Sequence, residues 1–197
     1  ENLRSGSSER LACLYHRYKG YISTRELLGE GFTNRHIAFL TEETYLEKVC
    51  HGYYWMLQCG YRKPFDYKCI EVCLSNPRAV ISLESACYYQ GITGTEPKAL
   101  TVATQRTDRS AMKMNFPLER HYFSDGNFRT GIERVRTELG SYNIYNAERS
   151  LCDLIRLERR DADDKIIMEV FDFIKARKER YGRISKYAEL LGVKNLP

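Results

Sequence analysis

The chain has 197 residues, 43% of them hydrophobic and 29% charged, with a net charge of +5. That length allows one large domain or two small ones, and it can bury a core without disulfide or metal staples. The balance excludes a disordered or collagen-like chain. The longest apolar stretches, such as Ala79–Leu83, fall far below the roughly 18 residues that a membrane-spanning helix needs.

The polar opening, Glu1–Arg10, carries no secretory signal pattern. Seven cysteines, an odd count, then read as free thiols in a reducing cytoplasm. Cys50, Cys59, Cys69 and Cys73, with His51, invite a zinc reading. They contain no CxxC pair, the usual signature of a structural zinc site, so buried thiols are expected and no metal or other cofactor. The basic excess lies beyond residue 60: residues 1–60 hold 7 basic and 7 acidic side chains, residues 61–130 hold 10 and 7, and residues 131–197 hold 14 and 12. Such a charge permits a nucleic-acid partner without demanding one.

In chain order, Leu11, Leu14, Tyr15 and Tyr18 recur at helical spacing, and Gly20 follows as a stop. Ser23 and Glu26 form a capping-box pair that opens a short second helix ending at Gly29-Glu30-Gly31. Thr33 caps a third helix with Ile37 and Leu40 on its inner face. Leu46–Val49 and Tyr53–Leu57 read as strands joined by a tight turn at Gly52; Tyr53 and Trp55 point to one face and Tyr54 to the other, and one of these faces is expected at a core or domain interface, with stacking on bases as the alternative. Gly60, Arg62, Lys63 and Pro64 interrupt the apolar pattern, so the boundary is set at residue 60: domain 1–60, then domain 61–197.

The second domain mixes helix and strand. Ser75 or Asn76 is expected to cap a helix that starts at Pro77 and closes at Gly91. Ala99–Gln105 reads as a strand. Asp125-Gly126 and Gly140-Ser141 read as two hairpin turns. Asn146 starts a helix with Leu151, Leu154 and Ile155 inward. A longer helix is expected over Asp163–Arg180 and a last one over Ile184–Leu191. The fold class is therefore α+β, with helices gathered at the C-terminal end.

The N-terminal order of three helices and a hairpin is that of a winged helix-turn-helix, whose third helix enters the DNA major groove. Thr33, Asn34, Arg35 and His36 stand at the start of that helix. Arg35 suits guanine and Asn34 suits adenine. Lys48 and His51 would meet phosphate from the wing. A protein-binding role for this domain stays open, because its charge is balanced. Arg149 and Asp153 stand four apart on one helical face, an ion-pair spacing. Arg156, Arg159 and Arg160, and then Lys175, Lys178 and Arg183, extend basic faces.

No GxGxxG, P-loop, GxSxG or HExxH motif occurs, so a non-enzyme is expected. Asp66-Tyr67-Lys68 is a faint nuclease-like trace.

Four stretches together resemble the AbiEi-type antitoxins of abortive-infection, type IV toxin–antitoxin systems. They are GYISTRELLGEGFTNRHIAFLTEETYLEKVCHGYYWM (20–56), NPRAVISLESACYYQGIT (76–93), PKALTVAT (97–104) and IYNAERSLCDLIR (144–156). The last resembles the family's ERxLCDL helix start, carried here by Glu148, Arg149, Leu151, Cys152, Asp153 and Leu154. The resemblance implies an N-terminal winged helix followed by an α+β antitoxin domain. It implies binding to operator inverted repeats in double-stranded DNA, and so repression of the chain's own operon. It also implies antagonism of a cognate nucleotidyltransferase-like toxin, without a stable complex. The antitoxin surface would hold Arg149, Arg156, Arg159, Arg160, Lys175, Lys178 and Arg183. One departure stands at the wing turn, where a basic residue often precedes the Gly and His51 stands here. A stand-alone repressor and a metal-dependent nuclease are the alternatives.

Overall fold

A computed structural model of the chain describes residues 3–157 and 164–197, and the side chains of that set from residue 6 onward. The fold is mixed α+β with two sheets. Two compact units divide it. One gathers the chain up to Pro77 with residues 111–115 and 137–140, and the other gathers the remainder from Arg78 on. No helix among the described residues is long and apolar enough to cross a membrane.

In the first unit, the helix expected over 11–18 is broken into α1 (Leu3–Ala12) and α2 (Tyr15–Tyr18). Lys19 and Gly20, both at positive φ, end α2. Gly20 cannot carry a side chain, because a Cβ there would collide with the Trp55 ring. The chain continues through β1 (Tyr21–Ser23), α3 (Thr24–Gly29), α4 (Asn34–Glu42), β2 (Leu46–Cys50), β3 (Tyr53–Met56) and α5 (Tyr67–Ser75). The strands form an antiparallel sheet in the order β1-β3-β2, with Tyr21 opposite Trp55 and Leu46 opposite Met56. β1 was not expected, since three residues are too few to show alternation.

The Ser23 capping box is present: Glu26 N–H donates to Ser23 Oγ at 3.0 Å, and Ser23 N–H donates to Glu26 Oε2 at 2.8 Å. Leu11, Ile22, Leu27, Ile37, Leu40, Leu46 and Met56 are buried together with Trp55, whose ring meets Tyr21 edge-on at 4.8 Å.

The expected start of a helix at Ser75 or Asn76 is corrected. Asn76 ends α5, and its N–H donates to the Val72 carbonyl at 2.8 Å. Cys69, Ile70, Val72 and Cys73 make α5 apolar on its buried side. The helix packs on β2, so the first compact unit runs past residue 60 to Pro77.

The second unit contains β4 (Val80–Ile81), α6 (Leu83–Tyr89), β5 (Leu100–Gln105), β6 (Leu118–Phe123), β7 (Ile132–Arg136), β8 (Ser141–Tyr145), α7 (Ala147–Arg156), α8 (Asp164–Lys175) and α9 (Lys178–Leu191). Its sheet runs β6-β5-β4-β8-β7. β4 pairs parallel with β8 and antiparallel with β5. The hairpin expected at Gly140-Ser141 is present as β7–β8.

The hairpin expected at Asp125-Gly126 is not. β6 runs parallel to β5, and Asp125–Asn127 form a single 3₁₀ turn. That turn delivers Phe128 into the core beside Phe123 and Tyr145, and burial of the ring overrides the local Asp-Gly signal. The long C-terminal helix also ends early, at Lys175, so Arg180 belongs to α9. Breaking there places Ile174 and Ile184 in one core with Leu83, Cys87, Leu151, Cys152 and Val170.

Candidate nucleic-acid interface and a buried charge centre

Thr33 caps α4 in an unusual way. Its hydroxyl accepts from His36 N–H at 3.2 Å, and its own N–H donates to His36 Nδ1 at 3.0 Å. His36 therefore fills the place that Glu or Gln takes in an ordinary capping box. The ring is committed to holding the helix start, and it meets buried Phe32 edge-on. Asn34 and Arg35 are exposed. Among the described residues Arg35 has no side-chain partner, so its guanidinium is available to a ligand.

The β2–β3 turn carries exposed His51. The next residue, Gly52, accepts from Thr24 N–H at 2.9 Å, so the turn is tied to the start of α3. Arg25 sits at that start, exposed. Arg25 is hidden in the sequence by its place inside the capping-box motif. The signal available was its place as a charged residue in the first turn, pointing away from buried Leu27. Lys48 is exposed, and its carbonyl accepts from Asn115 Nδ2 at 2.8 Å.

The same unit buries a carboxylate. Glu71 is 1% exposed and accepts from Tyr21 Oη at 2.6 Å. Lys63 Nζ is 3.0 Å from Glu71 and 3.6 Å from Glu47, and it lies over the Trp55 and Tyr67 rings. Burial raises the Glu71 carboxyl above its ordinary value, and the contacts with Tyr21 and Lys63 oppose the rise. Burial first, then the bond to Glu71, raises the Tyr21 hydroxyl. The Tyr21 proton therefore stays in place as a donor.

The second unit holds its charge differently. Asn146 caps α7, accepting from Arg149 N–H at 2.9 Å. Arg149 itself is 1% exposed, so its expected place on a partner-facing surface is corrected. Its Nε donates to Asp153 Oδ2 at 2.9 Å, and its Nη1 donates to the carbonyls of Asn127 and Thr130 at 2.6 and 2.9 Å. The guanidinium lies over Tyr145 at 4.4 Å.

The fit depends on Gly131. A Cβ there would stand 2.6 Å from Arg149 Cβ and 2.9 Å from Asn146 Oδ1, and its φ is +82°. Arg156 completes the group, donating to Asp153 Oδ1 at 2.9 Å. Burial raises the Asp153 carboxyl above its ordinary value, and Arg149 and Arg156 pull against the rise.

Glu148, also fully buried, is held by Arg180 at 3.4 Å and Arg183 at 3.6 Å. The charged residues of the ERxLCDL-like start thus bind α7 to the 127–131 loop and to α9.

This changes the expected basic surface. Arg156 and Arg183 are partly spent on buried carboxylates. Lys175 lies 3.9 Å from Asp172 and over the Phe171 ring. Lys178 is exposed. Arg159 and Arg160 lie outside the described residues.

All seven cysteines are free, and all but Cys13 are buried. Among the described residues, no group of three or more His, Cys, Asp or Glu is placed to hold a metal ion. Asp66 is buried where α5 begins. No family model matches the chain, and no curated protein matches it in sequence.

Proposed function

We propose that the first unit is a winged helix-turn-helix that binds double-stranded operator DNA, and that the chain is a self-repressing antitoxin of the AbiEi type. The observation that carries the DNA reading is the start of α4. There, Asn34 and Arg35 project into solvent from a helix end fixed by the Thr33–His36 box. The first residues of a recognition helix are those that reach base edges. The element order supports it: a β1 strand before α3 and α4, then β2 and β3, with β1 pairing to β3. The turn at His51-Gly52 is then the wing, and Arg25 joins Lys48 and His51 as a phosphate contact. His36 moves from base reader to helix anchor.

The antitoxin half rests on the resemblance of residues 144–156 and of the stretches before them. In this reading the chain opposes a nucleotidyltransferase-like toxin from the cytoplasm, without a lasting complex and without catalysis of its own. Among the described residues of the expected basic set, Lys175 and Lys178 are exposed cations that no buried carboxylate engages.

The test is a gel shift of the full chain on the DNA upstream of its gene, across a salt series. Arg35→Ala is expected to cost about 1–3 kcal/mol on the specific site and little on random DNA. Equal loss on both would reassign Arg35 to phosphate, and no loss on either would remove α4 from the groove. For the antitoxin half, Lys175→Glu with Lys178→Glu should end protection of toxin-expressing cells with the fold intact by circular dichroism. A stand-alone repressor would shift DNA and protect nothing.

A further inference from the structure

The β5–β6 connection of the second unit begins with Arg106-Thr107-Asp108-Arg109-Ser110, beside the edge strand β6. Its one carboxylate turns inward and its two arginines turn outward. Asp108 is buried, accepts from Ser110 N–H at 3.0 Å, and meets Arg120 at 3.5 Å and Arg78 at 3.6 Å. Arg120 is spent on holding the loop. Its Nε donates to Thr104 Oγ1 at 2.9 Å, its Nη1 to the Ser110 carbonyl at 2.5 Å and its Nη2 to the Asp108 carbonyl at 2.9 Å. Arg106 N–H donates to the Phe123 carbonyl at 2.9 Å, which ties the start of the loop to the end of β6. An inner anchor thus fixes the loop in one shape, with Arg106 and Arg109 exposed.

An aromatic ring stands among these cations. Tyr122 shares a face of β6 with Arg120, and it is 44% exposed. Arg120 lies over the ring at 4.8 Å, and Arg109 approaches it at 6.0 Å. Arg78, itself exposed, extends the charge past Asp108. Arg129, also exposed, borders the same open hollow as Arg78. Five arginines therefore gather around one inward carboxylate. Of the other nearby acids, Glu119 lies on the opposite face of β6 with His121 at 2.8 Å, and Asp125 is exposed in the turn beyond β6. Every cation in the group is a guanidinium, which forks onto phosphate oxygens and stacks on flat rings.

We propose that this surface binds a single-stranded nucleic acid, with phosphates on Arg106, Arg109 and Arg129 and a base against Tyr122. A single strand offers repeated phosphates and bases that can be laid flat on an aromatic ring or a guanidinium. A duplex keeps its bases stacked inside, and this surface is a loop on a strand edge, not the helix or two-stranded ribbon that enters a major groove. An acidic peptide offers carboxylates and nothing that needs the ring. Ribose and deoxyribose strands carry the same phosphates and the same flat bases, so both serve as probes. The inference does not rest on the winged-helix or antitoxin reading.

Fluorescence anisotropy of the full chain tests it, with labelled oligouridylate, oligothymidylate and a random duplex as probes and polyglutamate as competitor. The strands should bind saturably, and polyglutamate should displace them poorly. Arg106→Gln with Arg109→Gln should weaken strand binding about tenfold or more. It should also make the log–log salt slope shallower by about 1.4, at about 0.7 for each single-strand phosphate lost. Tyr122→Leu should weaken binding about fivefold or more and leave that slope unchanged, and Tyr122→Phe should retain the affinity. Melting by circular dichroism verifies the fold of each variant. Arg35→Gln with Lys48→Gln, which alters the first unit alone, should leave strand binding as it was. A chain that binds strands in this way and shifts no operator duplex would refute the winged-helix reading and uphold this one. Whichever sugar binds more tightly names the source of the strand. Full-strength binding in the Arg106/Arg109 variant, or no strand binding at micromolar protein, overturns the proposal. So does a duplex or polyglutamate held as tightly as the strands through the same arginines, which would mark a bare patch of charge.

Discussion

Two buried carboxylates, Glu71 in the first unit and Asp153 in the second, are neutralised in different ways. Glu71 of the first unit is held by a phenol and a lysine. Asp153 of the second is held by two arginines, one of which also gathers two backbone carbonyls. A lysine is a single point of charge on a flexible stem, whereas a guanidinium is a rigid fork with five donors. The first arrangement satisfies a charge. The second also fixes a loop, because Arg149 holds residues 127 and 130 against α7. Removing a partner should therefore cost far more in the second unit than in the first.

The sharpest way to break that comparison is Arg149→Met. It strips Asp153 of one partner, takes the Arg149 donor from the Thr130 carbonyl, and leaves the Asn127 carbonyl only the Thr130 N–H at 3.2 Å. Breaking a buried pair from one side costs about 3–5 kcal/mol. Urea unfolding followed by far-ultraviolet circular dichroism should show the loss. The penalty should ease as pH falls, because a protonated Asp153 no longer needs the cation. A loss below about 1 kcal/mol would mean that Arg156 alone suffices.

Next in size is Tyr21→Phe, which removes one donor from Glu71 and leaves Lys63 in place. About 1–3 kcal/mol is expected for a buried acceptor that loses a bond. Trp55 is the chain's one tryptophan and touches Tyr21, so its fluorescence reports this unit directly. A cost equal to that of Arg149→Met would erase the distinction between the two centres.

The smallest effect is a slope. The Glu71 carboxyl is raised above 4.5, so between 4.5 and the raised value the native state binds more protons than the unfolded chain. Stability then falls as pH rises through that window. Glu71→Gln should flatten the fluorescence-detected stability curve there. A curve of unchanged slope would show that Tyr21 and Lys63 fully cancel the effect of burial.

Local signals were legible where one short segment decided the outcome. Ser23, Thr33 and Asn146 were each read as helix caps from their residue type and the pattern that follows, and each accepts the backbone bond expected. The β7–β8 hairpin and the mixed α+β class followed in the same way. The failures came where a distant partner outbid the local signal. Asp125-Gly126 is a strong turn pair, yet Phe128 finds Tyr145 seventeen residues on, and the chain folds to bury the ring.

Arg149 looked like half of a surface ion pair because a sequence shows spacing and not depth. Its burial depends on Gly131 and on two carbonyls 19 and 22 residues away. The start of α4 was readable residue by residue, except that no pattern announced a histidine in the place of a capping glutamate.

The buried cysteines give the molecule a use that its fold did not select. Burial lifts the thiols of Cys87 and Cys152 to about 12 and that of Cys50 to about 11, and carries Cys69 well above its ordinary value. A protonated, enclosed sulfur ignores alkylating reagents until its surroundings open. Cys13, which is exposed, marks the start of the count. Each later thiol is consumed at the rate at which its own neighbourhood opens, and Cys50 and Cys69 sit in one unit while Cys87 and Cys152 sit in the other. Alkylation under native conditions, followed by peptide mass spectrometry to locate each adduct, would thus time the opening of each half separately.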